Sequence, residues 1–357
     1  MIEPEQIRVG VIGYGVIGKR VALAVAAQDD MILQGVADMS ADWRLQVASR
    51  QGVKLFGATS KDAESMQAAG LPIEGDLTEL IAAADVLVDC TPKHIGAANA
   101  KLYRRSGKPF IVQGGEKHEV TGHSFVAESN YAGALGREAT RVVSCNTTSI
   151  VRTLTALKRA GLLRRARGTL LRRATDPWES DHSGIMNTLV PEPEIPSHQG
   201  PDAKSVDPDL DVVTMAVKVP ETLAHLHYWS VQMTRAAGKA EVLAAFMASS
   251  RIAAIQTGDG LGALNTVKEL MADIGRPHAN LYEVALWTDM LRVEGDELFY
   301  ACMVDNQAIV IPETIDAIRA LRRAAPDAET SIAKTNASLG IGDLDAFLHQ
   351  RPVAKTA

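Results

Sequence analysis

Residues 9–25 read "VGVIGYGVIGKRVALAV", and the spacing of the glycines in this stretch decides how the first half of the chain folds. A β-branched run leads into Gly13-x-Gly15-x-x-Gly18, which opens a segment of helical character. Gly13 suits a tight turn, Gly15 lets backbone N–H groups approach a pyrophosphate, and Gly18 lets a helix lie close to its strand. Asp38 ends the next strand-like run, "MILQGVAD", 20 residues after Gly18. A carboxylate there can chelate adenosine ribose hydroxyls and repel a 2′-phosphate. The pattern predicts a dinucleotide site that prefers NAD, with NADP as the alternative. The competing readings are a glycine-tolerant turn of another α/β protein and, for Asp38, a helix cap.

Working outward, "VLVDCT" and "PFIVQGG" continue the strand series, with helix-like "GKRVALAVAAQ", "DLTELIAAA" and "IGAANAKLYRRSG" between strands. Such alternation predicts a Rossmann-type, doubly wound parallel sheet covered on both faces. From about residue 165 longer strand-like stretches take over, "RGTLLRRAT", "DVVTMAVKVP", "LAHLHYWSVQM" and "LFYACMVDNQAIVI". They predict a second, α+β domain on a mostly antiparallel or mixed sheet. Residues 189–209, rich in Pro, Ser and His, read as a long functional loop. Residues 312–341 read as two helices broken at Pro326.

The chain has 357 residues, 46% hydrophobic and 22% charged, with a formal net charge of −6. That is an ordinary globular composition, and its charge argues against a general nucleic-acid or membrane-surface role. No apolar run reaches the roughly 18 residues of a membrane span, and the polar start lacks the plan of a signal peptide. Three scattered cysteines, Cys90, Cys145 and Cys302, fit neither a disulfide framework nor a zinc cluster, so a reducing cytoplasm is expected.

Cys145 falls where the strand-like "RVVS" meets the helical spacing of Ile150, Leu154 and Leu157. A helix N-terminus there lowers a thiol pKa, with Asn146, Thr147 and Thr148 as capping candidates. Taken alone, the position favours a packing residue over a nucleophile, and Cys90 and Cys302, inside apolar runs, are assigned to packing. His225 and His227, two apart on a strand, share one face. A metal pair there lacks a third ligand at a telling spacing, so no metal is expected. The run from Lys158 to Arg173 holds seven basic residues. Without aromatic interleaving it reads as a solvated or subunit-facing surface. By alternation Arg172 and Arg173 point to opposite faces, so only one is expected to face an active site.

In order along the chain stand "GYGVIGKRVA", "VDCTPKHIGAANAKLY", "QGGEKHE", "RVVSCNTTSIVRTL", "LLRRATDP", "IPSHQGPD", "TMAVKVPETLAHLH" and "PETIDAIRA". Through them the chain resembles the archaeal-type (type II) glyceraldehyde-3-phosphate dehydrogenases. The resemblance implies oxidation of a phosphorylated aldehyde through a cysteine thioester, with NAD or NADP as hydride acceptor and phosphate as acyl acceptor. It implies a homotetramer whose dinucleotide-binding domain, 1–143, is completed by C-terminal helices at about 308–357, with residues 144–307 as the catalytic domain. By position, Cys145 matches the nucleophile, and Ser144, Asn146 and Thr147 lie with it in the substrate site. Val16, Ile17 and Gly115 match cofactor contacts, and Arg173 and Gln307 match contacts on the nicotinamide side. His198 and Gln199 match substrate contacts. The family more often has a second histidine where Gln199 stands, and glutamine bonds a phosphate without carrying charge.

The resemblance gives His225 the task of general base, ahead of His198 and His227; imidazole suits it because its pKa lies near working pH. The expected reaction is phosphorylating oxidation of glyceraldehyde 3-phosphate to 1,3-bisphosphoglycerate. The alternatives are a dehydrogenase for another phosphorylated or short polar aldehyde, or one passing its acyl group to water, and a silent NAD-binding or RNA-binding relative.

Overall fold

The computed structural model describes residues 6–174 and 189–349. Thr175, Asp176 and Pro177 of "LLRRATDP", and residues 350–357 of the expected C-terminal segment, lie outside the described residues. The chain divides into two compact units. One holds the residues up to Ser144 with Val310–Leu339; the other holds Cys145–Ile309 and the chain from Gly340.

The strands of the first unit are β1 (Ile7–Ile12), β2 (Met31–Asp38), β3 (Leu55–Gly57), β4 (Ile73–Asp76), β5 (Val86–Asp89), β6 (Phe110–Val112), β7 (Ser124–Phe125) and β8 (Ala139–Val142). They pair in the order β4-β3-β2-β1-β5-β6-β8-β7. Every pairing is parallel, as the alternating pattern predicts. Helices α1 (Val16–Ala26), α2 (Trp43–Arg50), α3 (Ser60–Ala68), α4 (Leu77–Ala83), α5 (Ile95–Ser106) and α6 (Ala127–Ala134) connect them. Leu80, Ile81 and Tyr103 of α4 and α5 are buried with Ile12, Leu87 and Phe110 of the sheet.

The second unit starts with α7 (Cys145–Arg159) and builds β9 (Leu163–Arg173), β10 (Val190–Pro191), β11 (Val212–Val219), β12 (Ala224–Met233), β13 (Ile252–Ile255), β14 (Val284–Trp287), β15 (Arg292–Glu294) and β16 (Glu297–Asp305). Its helices are α8 (Gln199–Lys204), α9 (Lys239–Met247) and α10 (Leu264–Asp273). The sheet order is β10-β11-β9-β12-β16-β14-β13, with β15 against β16. β9 runs parallel to β11 and antiparallel to β12, so the sheet is mixed. Ala253, Ile255, Val267, Met271, Trp287 and Met303 form one of its cores.

Helices α11 (Val310–Arg322) and α12 (Ala328–Leu339) return to the first unit on either side of Pro326. The buried Arg319 guanidinium explains the return, since it pairs with Asp30 at 2.8 Å and donates to Gln28 and Thr335. The last helix, α13 (Asp343–His349), instead belongs with the second unit and packs on β13. The expected run of about 308–357 is therefore divided at Gly340.

Two local expectations are corrected. The strand read through "DNQAIVI" ends at Asp305, whose carboxylate caps the N–H groups of Gln307 and Ala308. The long loop at 189–209 holds β10 and α8. The basic surface is exposed as expected and is also charge-paired, with Lys158 on Asp207 and Asp209 and Arg167 on Asp211.

Candidate active site

In the first unit the glycine turn follows β1. Gly13 has φ +84°, a left-handed conformation that a side chain would strain. A Cβ on Gly18 would lie 1.8 Å from the Gly13 carbonyl, so the helix reaches the strand only with glycine there. At Gly15 the neighbour such a Cβ meets is Arg44 Nη1, at 4.0 Å. That glycine therefore leaves space rather than serving packing. Gly15 is also the N-cap of α1, and among the described residues no side chain caps it. The early N–H groups of an uncapped helix, here at Val16, Ile17 and Gly18, suit a pyrophosphate. These residues fit a bound dinucleotide.

Asp38 stands at the carboxyl end of β2, beside the turn. Its Oδ2 accepts from the Tyr14 N–H at 2.7 Å, and Oδ1 accepts from the N–H groups of Met39 and Ser40. Arg44, the cation near Gly15, is bound at Nε and Nη2 by Asp42, which lowers the Asp42 pKa. Gly115 lies in the turn after β6, its closest approach being Lys93 in the turn after β5. Ser144 ends this unit, and a Cβ on Gly114 would come within 2.3 Å of its nitrogen.

In the second unit Cys145 is the first residue of α7 and keeps partial exposure. Its Sγ lies 3.2 Å from Nε2 of His225. The other ring nitrogen, Nδ1, accepts the backbone N–H of Arg173 at 3.0 Å. A neutral ring with an acceptor at Nδ1 carries its proton on Nε2, so it donates towards the sulfur. Burial holds the His225 pKa well below the ordinary 6.5, with His227 and the two arginines acting in the same direction. The expected base at rest is therefore a neutral hydrogen-bond donor.

Burial also raises the Cys145 thiol above its ordinary value, opposed by Arg173, the Asn146 backbone N–H and Arg172, while Asp305 adds to the rise. At the start of α7 this desolvation opposes the lowering expected of a thiol at a helix N-terminus. Both arginines act electrostatically on the sulfur. The register of β9 on β12 sets Leu170 opposite His227, which carries Arg172 to the His225 face. Arg173 reaches the site as the strand ends.

His227 is buried, and its Nε2 lies 2.8 Å from the Asn146 Oδ1. Burial lowers its pKa to about 3, so the neutral ring holds that oxygen and turns the amide nitrogen of Asn146 away as a donor. Thr147 follows on the same turn of α7. It is fully buried and donates to Asp202 at 2.8 Å, fastening α8 to α7. Gln307 lies just beyond Asp305, which Lys268 binds at 2.5 Å.

Sequence reasoning missed one charged cluster. Arg172 Nη1 contacts Glu192 Oε1, and Glu192 Oε2 lies 3.3 Å from His198 Nδ1. With its amide oxygen facing them, Gln199 accepts from Arg172 Nε and Nη1 and from His198 Nε2, each at 3.2 Å, and its nitrogen donates to Ser197. No spacing rule links positions 172, 192 and 199; only the pairing of β10, β11 and β9 brings them together. Among the described residues no group of three acidic, histidine or cysteine side chains could hold a metal, and no helix is long and apolar enough to cross a membrane.

Residues 144–273 match the family model described as glyceraldehyde 3-phosphate dehydrogenase, C-terminal domain, and residues 7–115 match that of dihydrodipicolinate reductase, N-terminus. The glyceraldehyde-3-phosphate dehydrogenase of Methanobrevibacter smithii is 42% identical over 335 residues, covering 93% of this chain and 99% of that protein. The enzyme of the same name from Archaeoglobus fulgidus is 43% identical over 339 residues, covering 94% and 98%. That from Metallosphaera sedula is 42% identical over 337 residues, with the same coverage. With a cysteine at the start of the catalytic unit and a histidine on its sulfur, the chain belongs to the archaeal-type glyceraldehyde-3-phosphate dehydrogenase family.

Proposed function

We propose that the protein oxidises glyceraldehyde 3-phosphate to 1,3-bisphosphoglycerate, using a nicotinamide cofactor and inorganic phosphate, through a thioester on Cys145. The observation that carries this reading is the 3.2 Å contact of Cys145 Sγ with a His225 ring whose far nitrogen is held by the backbone.

The thiol first gives its proton to solvent. His225 Nε2–H, the Asn146 backbone N–H and the two guanidiniums then compensate the thiolate. Sulfur adds to the aldehyde carbon, and the carbonyl electron pair moves to oxygen. That oxyanion takes hydrogen bonds from His225 Nε2–H and the Asn146 side-chain amide, with the Cys145 backbone N–H as a third candidate. Its collapse restores the carbonyl and expels the aldehydic hydrogen with its electron pair, leaving the thioester. A bound dinucleotide would be held in the first unit by Gly13, Gly15, Val16, Ile17, Gly18 and Gly115 and would supply the acceptor for that hydride; by the resemblance, Arg173 and Gln307 of the second unit match nicotinamide-side contacts. Phosphate then attacks the thioester, the C–S bond breaks, and the thiolate returns while the phosphate proton goes to solvent. His225 serves as donor to both oxyanions and needs no change of protonation.

NAD is the preferred acceptor in this proposal. The Asp38 carboxylate accepts from the Tyr14 N–H beside the turn, and the nearby Arg44 is engaged by Asp42, so a 2′-phosphate meets repulsion there. A cytoplasmic homotetramer completes the reading, checked by cell fractionation and sedimentation.

The deciding assay tests aldehydes with NAD and NADP, with and without phosphate. One equivalent of NADH without phosphate and sustained turnover with it are expected. Turnover independent of phosphate would make water the acyl acceptor, and no aldehyde-dependent NADH at all would end the proposal.

A further inference from the structure

The groups best suited to recognise a phosphate in the second unit already face an anion of the chain itself. Arg172 and His198 converge on the two oxygens of Glu192, and the Gln199 oxygen accepts from the same two cations. The pair is largely withdrawn from water, with side-chain exposures of 20% for Arg172 and 17% for Glu192, whereas His198 is 61% exposed. The cluster thus opens outward on the histidine side. Glu192 directly follows the two-residue β10, and its N–H donates to Ala216 at 2.9 Å, so its backbone is anchored while its side chain can turn.

We propose that Glu192 is a built-in competitor for phosphate, holding the place a phosphate dianion takes against Arg172 and His198 and swinging out when such a ligand binds. The inference rests on the reading above that the ligand carries phosphate. A guanidinium binds carboxylate and phosphate through the same fork of N–H groups, so the two anions exclude each other on Arg172. Gln199 cannot offset the competition, because its oxygen faces both cations and its nitrogen is bonded to Ser197. Apparent affinity for phosphate is then reduced by the fraction of molecules in which Glu192 occupies the cluster. Neutral ligands are unaffected. Glu192 is thereby a specificity-determining residue, setting how strongly a phosphate must bind before the site accepts it.

The test is titration calorimetry of the full-length protein with glycerol 3-phosphate, with inorganic phosphate, and with glycerol as the neutral control. Glu192→Gln keeps the shape and removes the charge, and should tighten one of the two phosphate ligands about tenfold while leaving glycerol unchanged. Which ligand tightens tells whether the cluster serves the substrate ester or the inorganic co-substrate. Glu192→Asp retracts the carboxylate by one methylene and should tighten the same ligand to a smaller degree; it decides the matter alone if the glutamine variant does not fold. Unchanged or weakened binding of both phosphates would overturn the proposal. Because the titration needs no turnover, loss of the proposed dehydrogenase activity would sink that reading without touching this one.

Discussion

The backbone N–H of Arg173 donates to Nδ1 of His225 at 3.0 Å, so position 173 sets the tautomer of the active-site ring through its main chain, whatever its side chain does. A ring fixed this way offers Nε2–H to the sulfur and to an oxyanion formed beside it. Replacing it by His225→Asn should slow first-turnover NADH formation by about 10²–10³-fold, the effect of losing an oxyanion donor. The ring stays neutral because its pKa lies well below 6.5. The ascending limb of the pH–rate profile should then belong to the thiol and survive in the variant. A limb that disappears with the histidine would restore the role of base.

Labelling with iodoacetamide separates the three cysteines. Burial raises the Cys145 thiol, so its labelling should be slower than that of a small free thiol at neutral pH and still accelerate at pH 9. Cys302 is pushed up to about 12, and burial and Asp89 raise Cys90 well above its ordinary value, so Cys145→Ser should leave the native protein essentially unlabelled. Arg172→Gln should slow labelling of Cys145 further, since one of the opposing charges is lost.

Cofactor binding is separable from folding at Gly15. The residue sits at φ −78°, which alanine adopts, and a Cβ there approaches Arg44 no closer than 4.0 Å. Gly15→Ala should keep the Tm within a few degrees while weakening NAD binding at least tenfold (an expected loss of about 1.4 kcal/mol or more), measured by nucleotide titration. Gly18→Ala, whose Cβ would collide with the Gly13 carbonyl, should lower the Tm as well. Asp38→Asn should shift the kcat/KM ratio towards NADP; an unchanged ratio would remove Asp38 from cofactor choice.

Acid stability follows from the buried histidines. His227 is lowered by burial to about 3 and His123 to about 4, both from 6.5. In the unfolded chain these rings take up protons as the pH falls through 6.5, while in the folded protein they stay neutral. Their contribution is whole above 6.5 and is lost progressively towards 4 for His123 and 3 for His227. The Tm should therefore fall with acidification over this window in calorimetric scans, and His123→Asn should flatten part of that fall.

The elements legible in the sequence are those whose parts are neighbours along the chain. The turn at Gly13, the strand ending at Asp38 and the break at Pro326 each rest on backbone rules that act within a few residues. The short strands β3, β4 and β7 were not legible, because two to four residues show no period. The bond of the Thr147 hydroxyl to Asp202 was not legible for another reason: its partner stands 55 residues away.

By itself, then, the sequence determined the dinucleotide turn, the alternation of strands and helices in the first half, and which cysteine stands at a strand-to-helix junction. Tertiary structure alone decided that Arg172 joins His225, that His227 orients Asn146, and that Glu192 meets both cations. The physical reason is register: a side chain's face and charge partner depend on which strand lies beside it, and one residue of slip would turn Arg172 away.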